Sequence, residues 1–233
     1  YTIHDGLMNN DCQALYEVPE GHLWVGSFGK GIVELQNGKP VRYDSSNGLS
    51  NGFILAISGT KDGSVWVGTN SGLNQIQRGH LRVYTSRDGL AGDTVKALLR
   101  DHAGNLWIGT NAGLNCMAGD KLVTYTTNDG LTHNSISSLY EDSEENLWIG
   151  TEGGGVDRLK DGRFSSFTTK NGLTSDFILS MCRDREGSLW LGTYGGGLNR
   201  IKKSTFSRIT TAEGLWSDFV RTILEAHAGD IWV

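Results

Sequence analysis

Residues 142–151 read Asp-Ser-Glu-Glu-Asn-Leu-Trp-Ile-Gly-Thr, and residues 184–193 read Asp-Arg-Glu-Gly-Ser-Leu-Trp-Leu-Gly-Thr. Both stretches begin with an aspartate, continue through a polar turn and end in a Leu-Trp-aliphatic-Gly-Thr run. The tryptophan recurs along the chain with spacings of 42, 41, 41, 42 and 42 residues, at Trp24, Trp66, Trp107, Trp148, Trp190 and Trp232. The quoted stretch is therefore part of an internal repeat.

A second marker has the same rhythm. A Gly-Leu pair recurs with the same five spacings, beginning at Gly6, Gly48, Gly89, Gly130, Gly172 and Gly214. The one-residue difference between units lies in the glycine loop after the Trp-x-Gly-Ser/Thr run, which is one residue longer in three units. The rest of the repeat is in register, so the length variation is confined to one loop.

Each unit contains four short runs typical of strands. In the third unit they are 94–99, 106–109, 114–117 and 122–126, and Gly, Asn and Asp clusters separate them. No stretch shows a sustained 3.6-residue period, so we expect almost no helix. Four strands in a period of about 42 residues are typical of a β-propeller blade. The sequence therefore predicts an all-β propeller in which Trp66, Trp107, Trp148 and Trp190 are buried between blades.

The repeat also predicts the organisation of the chain as a single propeller domain or a fragment of one. Five complete blades are expected at about 10–46, 52–87, 93–128, 134–170 and 176–212, with a partial blade formed by 218–233 and 1–3. Because the partial blade has too few strands, we expect the chain to be a piece of a larger propeller. Its open strand edges predict either pairing with another chain or a homodimer.

Composition excludes several classes of function. The formal net charge of −5 disfavours a nucleic-acid-binding surface. No apolar run approaches the roughly 18 residues of a membrane-spanning helix, so direct membrane insertion is not expected. The three cysteines are widely spaced and predicted to be buried apolar residues. Six scattered histidines form no ligand pair, so neither a metal nor another cofactor is expected; they are His4, His22, His80, His102, His133 and His227.

The repeat unit resembles the two-component regulator propeller repeat. The resemblance rests on Asp129-Gly130-Leu131, Asp142, Leu147–Thr151, Gly154–Arg158 and Phe164, and it extends over essentially the whole chain. In that family such propellers form the extracytoplasmic sensor part of membrane histidine kinases or diguanylate cyclases, and many sense carbohydrates. The resemblance therefore implies a periplasmic or other extracytoplasmic sensor whose output domain lies outside these residues.

Features present in every blade are interpreted as scaffold. The acidic residues Asp142, Glu144 and Glu145 are expected to be solvated turn residues. The glycine triplets 153–155 and 195–197 lie between strands, so tight hairpins with positive φ are favoured over phosphate loops. A catalytic His/Glu or carboxylate grouping is not found.

Candidate ligand residues are those that break the repeat. In the loop after Gly-Leu these are His133 and Trp216, and in the loop after Ser/Thr they are Phe28, Glu152 and Tyr194. Large aromatic rings in polar loops suit stacking on a sugar ring or contact with a partner, although packing on a neighbouring blade is the alternative. A variable position predicted on the innermost strand adds Lys96 and Arg221, which would bind an acidic group in an axial channel unless they only line it.

The sequence therefore favours a non-catalytic recognition module for a small molecule or oligosaccharide. Two alternatives remain at this point: a protein-interaction scaffold, and a propeller enzyme like the streptogramin lyases.

Overall fold

A computed structural model describes residues 1–18, 21–36, 39–60, 63–119, 121–202, 205–226 and 229–233. His227, one of the six histidines, lies outside these residues. The chain divides into two compact units, Tyr1–Thr124 and Tyr125–Val233. Each unit is a series of antiparallel sheets in which the strand order follows the chain.

The first unit contains three four-stranded sheets. The strands of the first sheet are β1 (Cys12–Glu17), β2 (Leu23–Ser27), β3 (Gly31–Gln36) and β4 (Lys39–Tyr43). Those of the second are β5 (Ile54–Gly59), β6 (Val65–Thr69), β7 (Gly72–Gln77) and β8 (His80–Tyr84). Those of the third are β9 (Val95–Arg100), β10 (Leu106–Thr110), β11 (Leu114–Ala118) and β12 (Lys121–Tyr125), the last of which ends at the unit boundary.

The second unit contains two four-stranded sheets and, among its described residues, one two-stranded sheet. The strands of the fourth sheet are β13 (Ile136–Glu141), β14 (Leu147–Thr151), β15 (Val156–Lys160) and β16 (Arg163–Phe167). Those of the fifth are β17 (Ile178–Arg183), β18 (Leu189–Thr193), β19 (Leu198–Lys202) and β20 (Thr205–Ile209). The last sheet pairs β21 (Leu224–Glu225) with β22 (Ile231–Trp232). The predicted all-β architecture of propeller blades is confirmed.

The helical residues of the described chain are six three-residue 3₁₀ turns, each placed just before a Gly-Leu pair: Ile3–Asp5, Ser45–Asn47, Ser86–Asp88, Thr127–Asp129, Thr169–Asn171 and Thr211–Glu213. Before each turn, the side chain of a Thr or Asp accepts a hydrogen bond from a backbone N–H of the turn. The side chain of the third turn residue accepts in return from the backbone N–H of that Thr or Asp, which makes a capping box. The glycine that follows has φ between 103° and 117°, a conformation that an L-residue with a side chain rarely adopts. This explains the glycine of the Gly-Leu marker. None of these helices is long or apolar enough to cross a membrane.

The tryptophans of the repeat pack between consecutive sheets. Trp66 joins a cluster with Val95 and Ile108 of the third sheet, and Trp148 joins one with Ile178 and Leu191 of the fifth. Trp66, Trp107, Trp148 and Trp190 have exposed fractions of 6%, 9%, 8% and 9%. Their predicted burial is confirmed. Trp232 on β22 departs from the pattern, since 66% of it is exposed.

The glycine two residues after the tryptophan, in the same strand, lets the next sheet approach. A Cβ built on Gly150 would lie 2.9 Å from the Ile178 side chain, and one on Gly68 would lie 2.7 Å from the Val95 side chain. Any side chain at these positions would push the neighbouring first strand away. The tryptophan marker, extended to Trp-x-Gly, is thus a packing motif between blades.

Two expectations, on the cysteines and on Arg221, need correction. Cys12 is exposed, whereas Cys116 and Cys182 are only partly buried, so the cysteines are not uniformly core residues. Burial raises the pKa of the Cys116 thiol to about 11, and the Asp101 charge adds to that shift. Arg221 does not lie on an innermost strand, because β21 begins three residues later, at Leu224.

Candidate functional site

Two loops of each blade meet at the same edge of its sheet, and buried polar side chains hold them. In the fifth blade the loop after Gly172-Leu173 is tied to β19, because Asn199 Oδ1 accepts from Thr174 N at 3.0 Å and Asn199 Nδ2 donates to Thr174 Oγ1 at 2.6 Å. The loop after β18 is tied to the first loop, because Tyr194 N donates to Phe177 O at 3.0 Å. The repeat thus builds a rigid platform from residues common to the blades, and its variable residues lie on that platform.

In the second unit this platform presents exposed aromatic rings. Tyr194 makes an edge-to-face contact with Phe219 at 4.6 Å between ring centroids, and a tilted contact with Phe177 at 6.4 Å. Trp216 lies three residues before Phe219 in the same loop and is fully exposed. Phe177, Tyr194 and Phe219 are each about half exposed. We refer to Phe177, Tyr194, Trp216 and Phe219 as the aromatic loop patch.

The loop that carries Trp216 is well fixed despite the exposure of the ring. Phe219 N donates to Ser217 Oγ at 3.1 Å, and Thr211 N donates to Asp218 Oδ1 at 2.8 Å. Gly197 N donates to Asp218 O at 2.9 Å, which ties this loop to the hairpin after β18. The patch is therefore held by backbone hydrogen bonds on both sides.

Phe28 occupies the equivalent loop of the first blade, in the first unit. Its ring makes an edge-to-face contact with Phe53 at 4.6 Å, and it is about half exposed. Phe28 N donates to Asp11 O at 2.9 Å, which is the same backbone tie that holds Tyr194. A loop aromatic packed on the aromatic of the next blade therefore occurs in both units.

His133 and Glu152 converge on Ser135, a contact that the sequence did not reveal. Ser135 N donates to His133 Nδ1 at 3.0 Å, and Ser135 Oγ donates to Glu152 Oε2 at 2.9 Å. The hydroxyl thus bonds to the carboxylate and not to the imidazole. This differs from a nucleophile–histidine pair, in which the base accepts the hydroxyl proton.

Lys96 is the extra residue of a β-bulge in β9. Thr110 pairs with Val95 and Gly109 pairs with Ala97, so no residue of β10 stands opposite Lys96. The same bulge occurs in the other four-stranded sheets, where the extra residues are Gln13, Leu55, Ser137 and Leu179. A bulge turns one side chain out of the regular alternation, which explains why this position varies. Arg221 is exposed in the segment before β21.

Asp142 and Asp184 are structural acceptors, which corrects the expectation that Asp142 is solvated, whereas Glu144 and Glu145 are exposed as expected. The Trp148 indole Nε1–H donates to Asp142 Oδ2 at 2.8 Å, and the Trp190 indole donates to Asp184 Oδ2 at 2.7 Å. Burial raises the pKa of Asp142, but hydrogen bonds from Trp148 and Asn146 outweigh it and leave the pKa below its usual value. Among the described residues, no three His, Cys, Asp or Glu side chains converge as metal ligands.

Sequence reasoning selected Tyr194 and Trp216 but not the other two rings of the patch. Phe177 and Phe219 lie at the position just before the first buried residue of strand one, where the other blades have Asp11, Phe53, Thr94 and Ser135. Comparing that single position across blades would have found them. The two phenylalanines were not selected because each directly precedes apolar strand residues and therefore looks like the start of that strand.

The sequence profile of two-component regulator propellers matches five stretches of the chain, 6–29, 48–71, 89–112, 130–153 and 172–195. Together they make up just over half of the 233 residues. A sequence search of curated proteins finds no match.

Solved structures share the fold. The chain is similar to virginiamycin B lyase from Staphylococcus aureus, with a TM-score of 0.73 and 17% identity over 95% of this chain and 76% of that one. It is also similar to the extracellular domain of a putative one component system from B. thetaiotaomicron, with a TM-score of 0.54 and 25% identity over 96% of this chain. The chain spans 34% of the length of that domain. A third similar structure is PorZ of Porphyromonas gingivalis, a surface component of a secretion system, with a TM-score of 0.68 and 13% identity over 91% of this chain and 35% of that one.

Proposed function

The chain belongs to the two-component regulator propeller family, and from this premise we propose that it is a ligand-recognition module without catalysis. The proposed ligand-binding surface is the aromatic loop patch, and the proposed ligand is an oligosaccharide. The observation that carries the proposal is the exposure of Trp216 and Tyr194 on loops that are otherwise tightly hydrogen-bonded.

The chemistry of the patch supports a ring-shaped ligand. The flat faces of Trp and Tyr offer large apolar areas, and their N–H and O–H groups add polar contacts at the edge. Neighbouring Ser and Thr side chains supply further hydrogen-bonding groups. Because backbone bonds already order the loops, binding costs little conformational entropy.

An extracytoplasmic location is part of the proposal. It is supported by the family and by the likeness, at 25% identity, to the extracellular domain of a putative one component system. The chain spans about a third of that domain, so signalling to an output domain is proposed for the parent receptor and not for these residues alone.

A lyase function has weaker support. At 17% identity, the likeness to virginiamycin B lyase concerns the fold. The grouping of His133, Ser135 and Glu152 is the nearest approach to a catalytic arrangement, yet its serine hydroxyl donates to the carboxylate.

Isothermal titration of the 233-residue chain against a panel of neutral and acidic oligosaccharides tests the proposal. We expect one class to bind, and Trp216→Ala and Tyr194→Ala each to weaken that binding about tenfold or more, as for an interface aromatic. Trp232→Ala is the matched control, because it removes an exposed tryptophan from a strand and should leave the affinity unchanged. If the panel fails to bind while a protein partner requires the same two residues, the patch is a protein-interaction scaffold instead.

A further inference from the structure

A cavity in the first unit uses none of the residues of the aromatic loop patch. It has a volume of about 430 Å³ and is lined by Trp24, Tyr43, Glu34, His22 and Arg78, among others. The rings of Trp24 and Tyr43 are stacked with centroids 5.7 Å apart and an interplanar angle of 23°.

The fourth blade has a cavity at the equivalent position, with one decisive difference. That cavity has a volume of about 320 Å³ and contains Trp148, Phe167 and Arg158. Trp148 and Phe167 are stacked at 5.8 Å, as Trp24 and Tyr43 are. The Arg158 guanidinium carbon lies 5.7 Å from the centre of the Trp148 ring, in cation–π geometry.

The arginine is a recurrent part of the repeat at this register. Arg158 is the cross-strand partner of Trp148, and Arg200 is the partner of Trp190. The Arg200 guanidinium lies 5.0 Å from the Trp190 ring and 3.2 Å from Asp184 Oδ2. In both blades a guanidinium thus lies on an aromatic face. In the fifth blade it also pairs with a carboxylate.

In the first blade the cross-strand partner of Trp24 is Glu34. Its side chain is 11% exposed, and the His22 Nδ1 atom lies 3.1 Å from Glu34 Oε1. Because an ionised carboxylate only accepts hydrogen bonds, His22 donates to it and fixes its orientation. Burial, and secondly the Glu34 charge, raise the pKa of Tyr43. The Trp24–Tyr43 pair matches the aromatic pair of the fourth blade, but a carboxylate stands in place of the arginine. Because Trp24 is only 4% exposed, the ring that a ligand can reach is that of Tyr43.

We propose that this cavity binds the guanidinium group of an external small molecule, held between the Tyr43 ring, which is backed by Trp24, and the Glu34 carboxylate. A planar guanidinium stacks on aromatic faces and donates two N–H groups to a carboxylate. This cavity supplies both an aromatic ring and a carboxylate. Arg78 lines the same cavity, so a ligand with an acidic group beyond its guanidinium fits better than a simple cation.

Isothermal titration with 4-guanidinobutyrate tests the proposal on the intact 233-residue chain. In 4-ureidobutyrate an uncharged urea of similar shape replaces the guanidinium, with a carbonyl oxygen in place of one donor nitrogen, and agmatine replaces the acid with an amine. We expect 4-guanidinobutyrate to bind about tenfold or more tightly than the ureido compound, because a charge-assisted hydrogen bond is lost. Agmatine should also bind more weakly, because its second positive charge is next to Arg78.

Two substitutions at one position test the role of Glu34. Glu34→Gln should weaken 4-guanidinobutyrate binding about tenfold, and the second blade has Gln75 at this register, so the fold accepts the amide. Glu34→Arg should abolish binding, since the chain then supplies its own guanidinium. Glu144→Gln removes an exposed carboxylate elsewhere and is the control.

Several results would overturn the proposal. They are the absence of 4-guanidinobutyrate binding, equal affinity for the ureido compound, or unchanged affinity in Glu34→Gln. An equal loss of affinity in Glu144→Gln would show that the effect depends only on net charge, and this would also overturn the proposal. Because the oligosaccharide panel and its variants use other residues, these outcomes are independent of the proposed function.

Discussion

Single side chains show how this repeat controls buried charge. Asp184 accepts hydrogen bonds from Ser188 N at 2.7 Å and from the Trp190 indole at 2.7 Å, and it pairs with Arg200 at 3.2 Å. Asp157 is fully buried at a register where the second, third and fifth blades have asparagine. Both residues are acids, yet the folded state favours the charge of the first and opposes that of the second.

Replacing Asp184 with asparagine should destabilise the protein by about 2 kcal/mol, since hydrogen bonds to a buried charged group are lost. Burial raises the pKa of Asp184, but its hydrogen bonds and Arg200 outweigh it and lower the pKa below 3.8. The stabilisation is therefore present above pH 3.8 and is lost as the pH falls through the folded-state pKa. Urea denaturation of both proteins across this range measures the effect. Asp230→Asn, at an exposed turn, should change stability by less than about 0.5 kcal/mol.

Asp157→Asn should have the opposite effect and stabilise the protein by about 1 kcal/mol at neutral pH. Burial raises the pKa of Asp157, although hydrogen bonds from Ser166 and Thr132 oppose that shift, so the ionised form is disfavoured in the folded state. Asparagine would keep the bond to Thr132 N and add a donor for Thr132 Oγ1, as Asn199 does for Thr174. Because the folded state binds the proton more tightly, the native protein should approach the variant in stability as the pH falls. A loss of stability at neutral pH would contradict this account.

At the level of strands and sheets, packing between neighbouring blades explains the Trp-x-Gly marker, and the positive φ that follows each 3₁₀ turn explains the glycine of the Gly-Leu marker. The period, the tryptophans and the glycines predicted four-stranded sheets and a buried Trp because these positions are constrained by the same contact in every blade. The capping boxes were not foreseen as 3₁₀ turns, since three residues are too short to show a helical period. The bulge at Lys96 was also missed, because an extra residue leaves the apolar pattern of a short strand almost unchanged.

Trp148→Ala should reduce the free energy of unfolding by about 3–5 kcal/mol, the usual cost of removing a large core aromatic. The ring packs against Ile178 and Leu191 of the next sheet and also donates to Asp142. Trp232→Ala is the matched control, and because 66% of Trp232 is exposed its cost should be small. Chemical denaturation of the three proteins checks this, and equal effects of the two substitutions would contradict the packing account.

Over the full chain, recognition depends on how far the blades differ from one another. The repeat made the platform predictable, because every blade contributes to it. The departures from the repeat indicated Tyr194 and Trp216, but their neighbours Phe177 and Phe219 come from different parts of the sequence and meet only through the fold. Similarly, the importance of Glu34 at a position where other blades have arginine is seen only when the equivalent cavities are compared.

The central claim is that ligand recognition takes place at the aromatic loop patch. Fluorine NMR of the chain labelled with 5-fluorotryptophan tests it directly, because the seven tryptophans give separate signals that substitution can assign. With an oligosaccharide that binds in the titration panel, we expect the Trp216 signal to shift, while those of the buried tryptophans Trp66, Trp107, Trp148 and Trp190 stay in place. Saturable binding that leaves the Trp216 signal unmoved would contradict the claim.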